Sequence, residues 1–195
     1  MATATRPLVT LVVGSTRPIR VGDQIGQALA PVIAEEADAR VEVVDLRDLA
    51  LPLLDEPRMP ALGDYAHDHT KGWASTIEAS DAVVIVSPQY NGGYPAGLKN
   101  AIDFLYSEWK ERPVLIVTYG GRGGGMSGAQ LRHVLEFIGA AVLPENVEIT
   151  LSGDFYGEDG RLTNAADAVA DALPALREAA RDLGARARQE ERVTA

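Results

Sequence analysis

The residues best suited to chemistry fall in three short loops, each following an apolar run. The first, Gly14-Ser15-Thr16-Arg17-Pro18-Ile19-Arg20-Val21-Gly22, sets hydroxyls and guanidiniums where a helix is about to begin. Free backbone N–H groups and the helix dipole favour an anion at such a point, and arginines add charge-assisted, bidentate donors for phosphate. With no Walker lysine and no GxGxxG, the loop suits a single phosphate monoester rather than a triphosphate or pyrophosphate. The alternative is a plain helix start with a Ser/Thr cap and solvated arginines. The second loop, Ser87-Pro88-Gln89-Tyr90-Asn91-Gly92-Gly93-Tyr94-Pro95, is stiffened by its prolines and allows close approach at its glycines. Its amides, the Tyr90 ring and the Asn91 carboxamide can face a planar heterocycle. The alternative is an Asn-Gly turn with tyrosines packed on a sheet edge. The third, Tyr119-Gly120-Gly121-Arg122-Gly123-Gly124-Gly125-Met126-Ser127-Gly128, is six-tenths glycine. Ordering so many glycines is entropically costly unless backbone must approach a ligand; a mobile surface linker is the alternative.

The elements that must position these loops are legible as two kinds of apolar pattern. Leu8–Val13, Val41–Leu46, Ala82–Val86 and Val114–Thr118 are short β-branched runs, as in strands buried on both faces of a parallel sheet. Val147–Leu151 alternates, as an edge strand does. Helical windows cover Asp23–Ala37, Tyr65–Ala79, Ala96–Tyr106, Ala129–Ile138 and Ala165–Arg188, the last interrupted at Pro174. Strand and helix alternating five times predict a single-domain α/β, flavodoxin-like three-layer sandwich over residues 1–195, with a five-stranded parallel sheet in the order 2-1-3-4-5. Ligands bind such sheets at the carboxyl ends of the strands, near the switch between strands 1 and 3, which is where the three loops lie. Residues 185–195 read as a polar, fraying tail. The Pro-rich loop Leu51–Gly63 is longer than most connections and suggests a surface or partner role.

Composition removes several classes. The formal net charge is −10, with 28 acidic against 18 basic side chains, so neither nucleic acid nor an anionic membrane is an expected partner. There is no cysteine, hence no disulfide, thiolate nucleophile or Cys-ligated metal. The start of the chain lacks the basic and apolar regions of a signal peptide and no run reaches the length of a membrane span, so a cytoplasmic protein is expected. The acid excess concentrates in residues 35–68, while the first loop contains no acid.

Gly14-Ser15-x-Arg17-x-x-Arg20-x-Gly22, Ser87-Pro88-x-Tyr90-Asn91, Leu98-Lys99-Asn100-Ala101-Ile102-Asp103 and the glycine loop, in that order between Leu8 and Thr150, resemble the NAD(P)H-dependent FMN reductase family, which includes quinone, azo-dye and chromate reductases. The resemblance implies bound FMN, with NADPH or NADH as co-substrate. Ser15, Arg17, Arg20, Val21 and Gly22 would hold the phosphate. Pro88, Gln89, Tyr90 and Asn91 would wrap the isoalloxazine and ribityl chain, and Gly120, Gly121 and Gly124 would close over the ring edge. It further implies ping-pong exchange: nicotinamide gives hydride to flavin N5 and leaves, and a small-molecule quinone, azo, metal-oxyanion or flavin acceptor then takes the electrons. No side chain is assigned as general acid or base. Backbone N–H groups of the last two loops, with Arg122, are candidates to stabilise reduced flavin. Gln89 departs from the family's usual Glu and removes a charge near the flavin. The resemblance also implies a homodimer or homotetramer, with Ala96–Tyr106 as interface helix. Two other classes stay open: a flavodoxin-like electron carrier without NAD(P)H chemistry, and a flavin-free phosphate-ligand or regulatory protein.

Elsewhere, His67 and His69 form an HxH that diverges if helical, and no metal is expected there. His133 reads as packed or half-exposed on its helix. Trp73 reads as core, Met126 as loop cover, and Trp109 as lying at a subunit or substrate edge.

Overall fold

The computed structural model describes residues 6–194; residues 1–5 and 195, the ends of the expected domain and tail, lie outside the described residues. Strands β1 (Leu8–Val13), β2 (Arg40–Asp45), β3 (Ala82–Pro88) and β4 (Pro113–Gly120) are parallel neighbours in the order β2-β1-β3-β4. The fifth position is shared. β5 (Ala141–Val142) pairs with the start of β4, and β6 (Val147–Thr150) pairs with its end. Pro144 lies between them, where its missing N–H would break a continuous ladder. Arg132 bridges the gap, donating from Nη2 to the Leu143 carbonyl and to Asn146 Oδ1, each at 2.6 Å. The expected order is therefore present, with one additional short strand.

Alternation along the strands divides the core. Val9, Leu11, Val13, Val84 and Val86 face α1 (Gly22–Glu36), α6 (Ala165–Val169) and α7 (Leu173–Thr194). Val12, Val83, Ile85 and Ile116 face α3 (Asp68–Glu78), α4 (Ala96–Asp103) and α5 (Gly125–Phe137). A four-residue α2 (Leu46–Leu49) follows β2, capped by the Asp45 carboxylate. No described helix is long and apolar enough to cross a membrane.

Several sequence expectations change. Trp109 is 1% exposed and packs edge-on against the core residue Trp73, so it lies at no subunit or substrate edge. Each indole N–H donates to a carbonyl near the end of α4, that of Trp73 to Ala101 and that of Trp109 to Ile102. His133 is exposed rather than packed or half-exposed. His67 is the N-cap of α3 and His69 its second residue, yet their rings stack at 5.2 Å instead of diverging, because both Nε2 atoms turn to Asp55. No group of three or more metal-ligating side chains gathers among the described residues.

The stretch after Gly184 continues α7 through Thr194, where fraying was expected. Leu176, Ala180, Leu183 and Ala187 recur at helical spacing and are fully buried, and Arg188 Nη1 donates to the Ala37 carbonyl at 2.8 Å. Glu36, at the end of α1, receives both Arg177 and Arg181, and the Arg177 bond holds its carboxyl below the usual range. Gly184 lets the two helices meet: a Cβ there would stand 2.3 Å from the Ala37 oxygen and 2.7 Å from its Cα. Alanine in place of a helical glycine normally gains about 1 kcal/mol. Gly184→Ala is expected to lose about 1–3 kcal/mol instead, because the colliding atoms are backbone. Urea unfolding of the two proteins checks the sign.

Candidate functional site

The carboxyl ends of β1, β3 and β4 bring the three loops together. β1 and β3 are in register to Val13 and Val86, and the Gly14 amide extends the pairing by donating to the Val86 carbonyl at 2.9 Å. Gly14 packs so closely on Val86 and Leu98 that a Cβ would stand 3.2 and 3.1 Å from them. The chain then runs to α1, whose N-cap, Val21, makes no side-chain capping bond. Among the described residues, none of the amides from Ser15 to Val21 meets a protein acceptor. Such a run of free donors at the start of a fifteen-residue helix is an anion site in waiting.

The two arginines of this loop have different surroundings. Arg17 is exposed, forms no ion pair among the described residues, and rests 5.9 Å above the Tyr90 ring. Arg20 is buried. Its Nη1 donates to the Ser15 carbonyl, its Nη2 pairs with Asp45, and its Nε has no hydrogen-bond partner. Burial raises the Asp45 carboxyl, against the pull of the Arg47 amide and the Arg20 charge. Arg20 is therefore a fixed positive charge under the loop, while Arg17 is a free one above it.

The second loop is the Asn-Gly turn. Asn91 (φ +51°) and Gly92 (φ +83°) form the tip, and Tyr90 and Gly93 exchange backbone bonds across it. The Tyr90 hydroxyl reaches back to Ser15 Oγ at 2.7 Å. Burial raises the Tyr119 pKa well beyond its ordinary value, so it remains a neutral phenol. The Gln89 amide joins loop two to loop three, donating to the Tyr119 carbonyl at 3.2 Å. Its side-chain oxygen accepts from the Ser127 amide at 3.3 Å.

Loop three is shorter than the glycine count suggests, because α5 begins at Gly125. Gly124 turns inward, where a Cβ would stand 2.9 Å from that of Thr118, and Thr118 Oγ1 donates to the Gly123 carbonyl. Of the loop's glycines only Gly120 faces open space; a Cβ at Gly121 would stand 4.0 Å from the Leu151 carbonyl oxygen. Arg122 is exposed on the turn.

Between the loops lies a cavity of about 420 Å³. Of the sequence candidates, Ser15, Arg17, Arg20, Val21, Pro88, Gln89, Tyr90 and Gly120 line it. Gly22, Asn91, Gly121 and Gly124 do not. Gly22 instead gives room to Tyr119, whose hydroxyl would stand 2.5 Å from a Cβ there. Ile19, Tyr119, Tyr156 and Gly160 complete the lining. The last two come from the segment after β6, and its position beyond a fifth strand end was the available signal for them. No carboxylate lines this cavity. A larger groove of about 880 Å³ beside α1 and β2 is lined by Asp23, Asp45 and Asp48 with Arg20 and Arg161. Arg20 pairs with Asp45 and Arg161 with Asp23, which leaves the Asp48 charge in excess, a poor setting for an anion.

Comparison with known proteins agrees with this geometry. The family model described as NADPH-dependent FMN reductase matches residues 7–152. An NAD(P)H-dependent FMN reductase of Schizosaccharomyces pombe is 44% identical over 150 residues, covering 76% of this chain and 75% of that protein. A quinone reductase of Escherichia coli is 34% identical over 142 residues, covering 69% and 72%. The solved structure of FerB, a flavoenzyme NAD(P)H:(acceptor) oxidoreductase from Paracoccus denitrificans, superimposes with a TM-score of 0.67 at 28% identity, covering 92% and 98%. With its loops, sheet order and matched span all pointing one way, this chain belongs to the NADPH-dependent FMN reductase family.

Proposed function

We propose that this protein is an FMN-dependent oxidoreductase that takes hydride from NADPH or NADH and delivers it to a small-molecule acceptor of the quinone class. The observation that carries the reading is the acid-free cavity at the β1/β3 switch, with unpaired amides and the unpaired Arg17 at one end. FMN fits those residues. Its phosphate matches the Ser15–Val21 amides, the Ser15 hydroxyl and Arg17, with Arg20 adding charge from beneath. Its ring matches the wall of Pro88, Gln89 and Tyr90 facing Gly120, where a Cβ would project into free space. Bound FMN would supply the hydride chemistry, accepting from nicotinamide and passing to the acceptor. The protein's part is to bind, orient and supply field. Tyr119, kept neutral by burial, lines the cavity without adding negative charge beside the phosphate. The carrier alternative is disfavoured by the named activities of the relatives, and the flavin-free alternative by the ring-sized wall beyond the anion site.

Self-association suits the surface. Leu53, Leu54, Met59 and Leu62 are exposed on the Pro-rich loop, and Leu53 lines a second cavity with α4 residues. Asn100 of α4 ties that loop down, donating to the Pro52 carbonyl and accepting from the Leu54 amide. A homodimer through this face and a cytoplasmic location, with access to the NAD(P)H pool, complete the reading. Light scattering at micromolar concentration should give twice the chain mass; a monomer would refute the dimer.

The purified protein should be yellow, or quench FMN fluorescence on addition, and NADPH or NADH should bleach the bound flavin without oxygen. A colourless protein that leaves FMN fluorescence unchanged would overturn the assignment. Bound FMN that neither nicotinamide bleaches would favour the carrier. Arg17→Ala should weaken FMN binding by about tenfold to a hundredfold, as expected for a charged hydrogen bond, while riboflavin, which lacks the phosphate, is unaffected. Gly120→Val should weaken FMN and riboflavin alike, by about tenfold or more, with the melting temperature little changed. Fluorescence titration and thermal unfolding check both.

A further inference from the structure

The segment after β6 extends beyond residue 152, where the family match ends, yet it contributes to the cavity. It is a small hairpin. Tyr156 and Leu162 bridge across it, Gly157 donates to the Arg161 carbonyl at 2.8 Å, and Thr163 donates to the Phe155 carbonyl at 3.0 Å. Leu162 is buried in the α1 face of the core. The hairpin is fastened to the start of α1 at three points. Arg161 forks onto both oxygens of Asp23, at 3.3 and 3.0 Å, and its Nη1 also donates to the Arg20 carbonyl at 2.9 Å. Gln24 and Leu162 exchange two bonds, at 2.9 and 3.0 Å. At the tip, Gly160 sits so close to Ile19 that a Cβ would be 3.3 Å from its side chain. Tyr156, 39% exposed, stands at the rim; burial raises its hydroxyl pKa and the Arg17 charge opposes that.

We infer that residues 153–164 wall off the phosphate end of the cavity, so that it accepts a flavin ending in a phosphate monoester and rejects one extended by a second nucleotide. The inference rests on the flavin reading above and assigns specificity to Tyr156 and Arg161. The hairpin packs against Ile19, Arg20 and Asp23, the end of the loop where the free amides lead into α1. A dinucleotide would have to carry its second phosphate and nucleoside through that contact. A monoester ends before it, with the Tyr156 hydroxyl and Arg17 at the rim to receive its outer oxygens. Discrimination then comes from a barrier against the longer ligand, added to attraction for the shorter one.

The test is fluorescence titration of the full chain with FMN, FAD and riboflavin. The unaltered protein should bind FMN about a hundredfold or more tightly than FAD. Arg161→Ala releases the fork and should narrow that ratio by about tenfold, mainly through gained FAD binding, with riboflavin unchanged. Tyr156→Ala should likewise raise FAD affinity by about tenfold, a gain that loss of the hydroxyl alone would not produce, and it serves as the decisive variant should Arg161→Ala fold poorly. Tyr156→Phe, which removes only the hydroxyl, should weaken FMN by about fivefold and leave riboflavin unchanged. An unaltered protein that binds FAD as well as FMN, or Tyr156→Ala with an FAD affinity within about twofold of the original, would overturn the wall while leaving the flavin assignment standing. A protein that binds no flavin would overturn both.

Discussion

The placement of β1 between β2 and β3 is the constraint on which the site depends. The chain leaves β1 for β2 on one side and reaches β3 on the other, so the loops after β1 and β3 part, and a crevice opens above the sheet. The Gly14 amide on the Val86 carbonyl fixes how closely the two loops begin. From there the Ser15 hydroxyl spans to Tyr90 in the second loop, and the Gln89 amide ties that loop to the Tyr119 carbonyl of the third. A side chain at Gly14 would push the first loop off its neighbour and break that hydroxyl bridge. Register and one close approach therefore set the crevice, and the polar groups decorate it.

Charge is arranged on the same frame. The protein is strongly acidic overall, yet its carboxylates near the site are occupied. Asp23 takes Arg161, and Asp45 takes Arg20. Each pairing leaves its acid outside the cavity lining and helps to fix backbone or guanidinium at the rim. The local surplus that remains is Arg17 with a series of amide dipoles, enough for one small anion and insufficient for a polymer.

Much of this was legible in the sequence because buried parallel strands read as uninterrupted β-branched runs. Strand order, the three loops and eight of the lining residues followed from that pattern and from the family resemblance. What was not legible depends on contacts between distant parts of the chain. Gly124 looked like a ligand-facing glycine but is packed on Thr118. Trp109 looked like an edge aromatic, yet Trp73, thirty-six residues earlier, encloses it. The residues after Gly184 looked like a frayed tail, yet Ala187 is buried and Arg188 reaches the Ala37 carbonyl, contacts made with the distant end of α1. Tyr156 and Gly160 belong to a segment without a motif, and a hairpin more than 130 residues after the first loop returns them to it.

That last separation bears on how the molecule is made. Arg161 and Asp23 are 138 positions apart, and the Arg188 contact to Ala37 spans 151. Loop closures of this length are slow relative to local pairing, and synthesis delivers the chain from its amino end. The first loop, β1, β2 and β3 emerge early with their crevice open on one side. The hairpin, which completes the cavity lining with Tyr156 and Gly160, follows the first loop by more than 130 residues. A chain shortened before Ser152 would therefore carry the anion-binding loop without the hairpin that lines its cavity.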